Sequence, residues 1–554
     1  MARLPLPLRS NPAGLKFAGE PRLINCYPEA IGNEQRTPVQ LLSIAGQKAF
    51  ATIASGIPSR GMIYVKELAT LFSIHGSVAY KVTSAGTATA IAGTIAGSNP
   101  VIMERGPARN MSATVEISIA SPGVVSWTNH RLAAGTQVQF TTTGSLPTGL
   151  TSGTTYYVLA SGLTANSFSV SETDAGSAVN TSGGQSGTHT ATRVDDTYQV
   201  VIVSDLASYC IEDGQIIYIS LPKVANSVCF LDNRFVFDHE DGSYSWSPLN
   251  NALTISGLDY ATAEARPDGL VRAFASRGEL WLFGTETTEI HSGTSDSDLP
   301  FQPLGGTFID KGCASKMSVV QFDNAPHWLG HDGIYYRGAG YNAQRISTHA
   351  VERAIKDVSD WTTIRAYVDT VEGHTFLVVT CADWTWAYDA ATGSWHERKS
   401  YQRNDWRAWP YAYAFGKRIV GDKASGALNE LDEDTYSERG DPIRSEIILP
   451  DIPGKFTFDA LELDVATGTG LNVVSTAEGY NPQVMLRWSD DGGYTWSNER
   501  THDLGVQGKY DERVLFTRLG SSRSIRGRRY SIAVSDNVLK SFALGDIRGK
   551  ALPL

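Results

Sequence analysis

Apolar positions along this chain come in short runs broken by Gly, Ser and Pro. LINCYPEA, VQLLSIAG, KAFATIA, GMIYVKE, ATLFSIHG and VAYKVTS follow one another within residues 1–106. Runs of that length and spacing predict the strands of an all-β sandwich, barrel or propeller. QVQFTTTG, TTYYVLA and NSFSVSET then alternate apolar and polar positions, the period of a half-buried strand. From residue 196 to 440 strand pairs recur, each closed by an acidic or glycine-bearing turn: LDNRFVFDHEDGSYSWS, GELWLFGTETTEIHS, PHWLGHDGIYYRG, HTFLVVTCADWTWAYDAATGSWHER and AFGKRIVGDKASGALNELD. Their starts lie about 40 to 50 residues apart, the length of one four-stranded propeller blade. The repeat is too weak in identity for the blades to be counted. One segment departs from the β pattern. In STHAVERAIKDVSD, residues 347–360, Val351, Ala354, Ile355 and Val358 recur at helical spacing, and Ser347 or Thr348 is placed to cap the first turn. That helix is expected on the side of the propeller or against a neighbouring subunit.

The fold class that follows is all-β: a β-propeller with an inserted small β domain and few helices. Residues 1–106 are read as N-terminal propeller strands and 107–195 as the insert. Residues 196–440 are read as blades and 441–554 as a C-terminal β region.

Composition sharpens the insert. Residues 111–190 hold four charged side chains, Glu116, Arg131, Glu172 and Asp174, and no Lys. Thr, Ser and Gly dominate there, so the segment needs a core of its own. Its two histidines, His130 and His189, have no Asp or Cys partner at motif spacing.

Net charge is −11 over 554 residues, which disfavours tight binding of phosphate backbones by the chain as a whole. The charge is uneven: residues 501–554 hold ten Lys/Arg against five Asp/Glu. Arg513, Arg518, Arg523, Arg526, Arg528 and Arg529 carry that excess. They read either as a solvated strand face or as a docking surface for an acidic partner or DNA, with Arg523, Arg526, Arg528 and Arg529 as the docking candidates. The five cysteines are widely spaced without a CxxC, which argues against a disulfide framework and a Cys-based zinc site. No run of about 18 apolar residues predicts a membrane helix, and the N-terminus lacks the apolar core of a signal peptide.

Candidate chemistry centres on SDDGGYTW, residues 489–496. Ser-x-Asp-x-Gly-x-Thr-Trp resembles the Asp-box of sialidases and other propellers. Each fixed position has work to do in a hairpin. Asp491 can accept backbone N–H groups, with the Ser489 and Thr495 hydroxyls helping. Gly493 is free to take positive φ, and Trp496 is expected to return into the apolar layer. A sialidase would further need an arginine cluster and a Tyr–Glu pair, and no flanking pattern assigns those roles. Asp490 and Asp491 are adjacent rather than alternate, unlike a calcium loop. His239, His291, His327 and His331 lack ligand spacing and read as turn or surface residues. Trp386, Tyr388 and Trp395 around DAATGS suit packing between blades; a carbohydrate platform would use the same residue types. Catalytic, cofactor and metal residues are therefore expected to be none.

Larger stretches carry a further resemblance. The run RWSDDGGYTWSNERTHDLGVQGKYDERVLFTRLGSSRSIRGRRYSIAVSD is similar to the end of the packaged-DNA stabilisation proteins of short-tailed bacteriophages, also called tail hub or nozzle proteins. The likeness rests on the DGG turn, Leu504, Gly505, Gly508, Tyr510, Arg513, Val514 and the RLG at 518–520. RLINCYPEAIGNEQRTPVQLLSIAG resembles that family's opening strands, and RISTHAVERAI its mid-chain helix. Within the insert, VVSWTNHRLAAGTQVQFTTTGSLPTGLTSGTTYYVLA resembles a small β module of phage tail and virion proteins. The resemblance implies a non-enzymatic virion protein without cofactor or membrane anchor, assembled in the host cytoplasm. It implies a homo-oligomeric ring, a hexamer, below the portal and its adaptor. That ring would bind a needle or plug and a tailspike or fibre, with double-stranded DNA passing through without sequence-specific contacts. The alternative is a glycan-binding or glycan-hydrolysing, sialidase-like propeller.

Overall fold

A computed structural model describes residues 2–4, 6–12, 21–30, 39–54, 56–109, 111–195, 198–263 and 266–552. Seven four-stranded antiparallel units follow one another along the chain. Blade 1 begins with the strand Ser59–Val65 and blade 2 with Ile102–Pro107. Blades 3 to 7 begin with Ala225–Leu231, Leu270–Ser276, Val320–Phe322, Arg365–Val371 and Ala408–Ala414. An apolar cluster fills the space between each neighbouring pair of blades. Phe72 and Ile202 lie in the cluster joining blades 1 and 2. Leu71 and Ala412 lie in the one joining blades 1 and 7, which closes the ring.

The repeat has a local cause. Blades 3 to 7 each join their first and second strands by two residues that both have positive φ: Asp232–Asn233, Arg277–Gly278, Asp323–Asn324, Glu372–Gly373 and Phe415–Gly416. Such turns match the right-handed twist of the flanking strands and set the hairpin register. In blade 2 the insert takes the place of this turn. Ile102–Pro107 pairs with Tyr198–Val203, from Ile102↔Val203 to Pro107↔Tyr198, although the chain between them makes a seven-stranded domain. That domain has its own core around Val138, Phe140, Tyr156 and Phe168.

The reading of residues 1–106 as propeller strands needs correction. Ala2–Leu4, Cys26–Ala30 and Val39–Ser43 join Phe456–Val465, Val514–Ser522 and Ser541–Ala551 in one sheet of a C-terminal sandwich. Arg22–Ile24 joins the other, with Ser445–Ile448, Gln483–Ser489, Arg500–Asp503 and Arg529–Val534. Leu23, Leu461, Leu486, Phe516 and Tyr530 fill the core between them. The propeller starts at Gly46–Thr52, and that strand completes blade 7 rather than blade 1, pairing from Ala427↔Thr52 to Asp432↔Gly46. Apolar alternation marks a strand but not its partner, so the pattern could not make this division. Residues 31–38 of the resembling N-terminal run lie outside the described residues.

The helix spans His349–Lys356 and wedges between blades 5 and 6 through Ala350, Val351 and Ile355. Neither expected capping side chain binds a helix N–H. The Ser347 hydroxyl accepts from Tyr335 N (3.0 Å) and donates to the Glu352 carboxylate (2.9 Å). The Thr348 hydroxyl has no hydrogen-bond partner among the described residues. No helix among the described residues is long and apolar enough to cross a membrane.

Candidate functional site

The strand Gln483–Ser489 carries Ser489 into the sandwich, where it is 2% exposed. Its hydroxyl donates to Asp491 Oδ1 (2.7 Å) and accepts from Gly493 N (2.8 Å). Asp491 also accepts from the backbone N–H of Tyr494 (2.9 Å) and Thr495 (2.9 Å), and from the Thr495 hydroxyl (2.6 Å). Burial opposes ionisation of Asp491, but these donors together outweigh it and hold its carboxyl well below the ordinary range. Gly493 has φ 92°. Trp496 departs from expectation. It does not enter the apolar layer but lies half-buried beneath the Arg487 guanidinium, 4.8 Å from the ring centre.

The docking candidates divide. Arg523 and Arg526 are exposed. Arg528 and Arg529 are each 2% exposed, which removes them from any docking surface. Arg528 makes a two-pronged bond to Asp490 (2.7 and 2.8 Å) and stacks between Phe458 and Trp488. Arg529 makes the same fork with Asp451 (2.7 and 3.0 Å). Both acids are distant in sequence, so local pattern could not show that these arginines face inward.

Two polar groups at the seam of propeller and sandwich were not anticipated. Ile24 pairs in parallel with Glu397, so blade 6 runs on into a sandwich sheet. Arg22 donates to Glu397 across that join (Nε, 2.8 Å). His374 of blade 6 sits between Asp389 (3.0 Å) and Glu29 of the sandwich. Burial works against its charge, yet the two carboxylates outweigh it and raise the imidazole above its ordinary value. The partners are hundreds of residues apart, and no sequence signal joins them.

The other histidines correct the surface reading. His239, His291 and His327 are each 1% exposed and hydrogen-bonded: His239 to Ser245 of its own blade (2.9 Å), and His291 to Tyr244 of the neighbouring blade (3.1 Å). His331 is exposed. Trp386 and Trp395 are buried in the cluster between blades 5 and 6, with Tyr388 packed against it.

One side chain bridges the propeller axis. Met317, on the segment leading into blade 5, packs against the cluster of blades 2 and 3 and against that of blades 6 and 7 across the ring. Beside it, Lys316 donates to Asn226 O (3.0 Å), and burial lowers its ammonium below the ordinary value.

Turn carboxylates that close hairpins, and ion pairs that tie propeller to sandwich, define a two-part all-β protein. Its lineage is specific. The chain belongs to the bacteriophage P22 Gp10 family: the model of that family's beta-propeller matches residues 107–436, and the model of its beta-sandwich matches 449–549. Members are tail nozzle and DNA-stabilisation proteins of podoviruses, so this is a structural protein of the phage tail. No curated protein matches the chain. Among solved structures, the computationally designed Ika8 protein is 13% identical, with a TM-score of 0.33, over 70% of this chain and 100% of its own. Saccharomyces cerevisiae Sqt1 is 10% identical, with a TM-score of 0.33, over 70% and 99%.

Proposed function

We propose that this protein forms the nozzle of a short phage tail, a homo-oligomeric ring of six below the portal and adaptor. The ring extends the DNA passage, helps retain the packaged genome, and docks a needle or plug and a tailspike or fibre. It assembles in the host cytoplasm before joining the virion. The observation that carries this reading is Met317 lying across the propeller axis in a chain of this family, which leaves no room there for a duplex. A passage for a duplex then has to run between copies and not through a propeller. The net charge of −11 supports a lumen that repels phosphates and lets the genome slide. Arg528 and Arg529 do not counter this, because Asp490 and Asp451 neutralise them inside the fold. The glycan-acting alternative drew on the Asp-box, and Asp491 is committed to holding its own hairpin.

Electron microscopy of the purified protein mixed with its phage's portal–adaptor complex tests the proposal. The expected result is a sixfold ring continuing the adaptor's channel, with the propellers around the lumen. A monomer that ignores the complex, or duplex density threading a propeller, overturns it.

A further inference from the structure

At one end of the propeller, blades 1, 6 and 7 enclose an open bowl of about 870 Å³. Its walls are the segments leading into first strands and the turns between second and third strands. The bowl therefore opens on the face opposite the two-residue turns, and opposite the insert that replaces one of them. Its volume lies in the range of pockets that enclose a drug-sized ligand.

Charges around the bowl balance in number but are unevenly paired. Arg403 and Lys423 share one carboxylate, Asp405, at 2.8 and 2.9 Å. Lys423 completes its set with the Thr380 hydroxyl (2.6 Å) and Cys381 O (3.3 Å). Arg60 is satisfied by the carbonyls of Asn99 and Gly76 and faces Asp205 at 3.5 Å. Arg365 differs from all of these. Its guanidinium lies 4.3 Å over the Trp409 ring and makes no hydrogen bond or ion pair with any described residue. Burial lowers its pKa from the ordinary value, and its charge in turn opposes that of Lys423. Of the two acids at the rim, Asp360 is engaged by Thr362 N (2.9 Å) and the Thr362 hydroxyl (2.7 Å), and Asp383 is exposed. A guanidinium fork with an aromatic floor and no anion is a vacant half of a bidentate pair.

We propose that this bowl is the docking site for an acidic segment of a partner virion protein, which places a carboxylate against Arg365 beside Lys423. A carboxylate there supplies the missing counter-charge, and the apolar wall of Ile57, Pro58, Val358 and Trp409 receives the rest of the segment. A polypeptide fits better than a lone ion, because the volume far exceeds one oxyanion and the protein works among other virion proteins. The inference rests on family membership and not on the ring, so it is testable on the free monomer.

The probe is acetyl-tetraglutamate amide, titrated calorimetrically into the full-length chain with acetyl-tetraglutamine amide as control. Saturable binding of the acidic peptide alone is expected, weakened at least tenfold in Arg365→Gln and partly restored in Arg365→Lys. Independently of any variant, phenylglyoxal modification of Arg365, mapped by mass spectrometry, is expected to slow when the acidic peptide is bound. Three results would overturn the proposal: no saturable binding, equal binding by a folded Arg365→Gln, or displacement by equimolar inorganic phosphate, which would mark a simple anion site.

Discussion

At the scale of residues, two arginines adjacent in sequence to exposed ones turn out to be interior. Removing Arg528 leaves Asp490 unpaired and the Phe458–Trp488 gap unfilled. Arg528→Ala is expected to cost about 3 kcal/mol in urea unfolding, the lower end for a broken buried pair because Asp490 is partly solvated. Arg523→Ala, at an exposed position, is expected to stay within about 0.5 kcal/mol. Glu438 makes a pH prediction. It is 1% exposed, accepts from the Trp406 indole (2.6 Å), and burial pushes its carboxyl up to about 7 from an ordinary 4.5. The unfolded chain gives up this proton first, so between those two values the folded state binds more protons. Stability therefore falls as pH rises through that window and levels off above it. Glu438→Gln is expected to remove that slope and to add about 3 kcal/mol at pH 8, read from melts of both proteins across the range.

At the scale of elements, ring closure depends on one borrowed strand. Gly46–Thr52 completes blade 7 from the other end of the propeller sequence. The approach leaves no room for side chains: a Cβ on Gly426 would lie 1.5 Å from Ala54 O. Gly426→Ala is expected to loosen this closure, and limited proteolysis should then cut between residues 46 and 58 while the later blades resist longer. The strand pairs of blades 3 to 7 were legible because acidic or glycine-bearing turns close their second and third strands, whereas the two-residue turns ahead of them gave no signal that the pattern reading used. Blade 2 was illegible because its turn has become a domain.

At the scale of the whole molecule, the insert is a separate body on a closed ring. Its core shares no residue with those of blades 1 to 3. Its attachment is ionic: Arg193, braced by its neighbour Asp195 (2.6 Å), binds Asp213 of blade 2 (2.6 Å), and Arg109 meets the buried Glu212 (3.1 Å). Replacing residues 108–197 by Asn-Gly removes both arginines, so Glu212→Gln should accompany it. That variant is expected to melt within a few degrees of the parent in calorimetry, because the Pro107↔Tyr198 pairing brings the strand ends side by side.

The sequence by itself determined the all-β class, the blade repeat, the separate core of the insert and the closing of SDDGGYTW into a hairpin. All of these follow from alternation, turn chemistry and composition within a few tens of residues. Only the tertiary structure decided the rest. It gave seven blades among the described residues, placed Arg22–Ile24 in the sandwich and Gly46–Thr52 in blade 7, and set Met317 across the axis. It also turned Arg528 inward to Asp490 and His374 toward Glu29. The physical reason is shared: a strand's pattern states that it needs a partner, and a charge that it needs a counter-charge, but neither names which of the many candidates, tens to hundreds of residues away, will supply it.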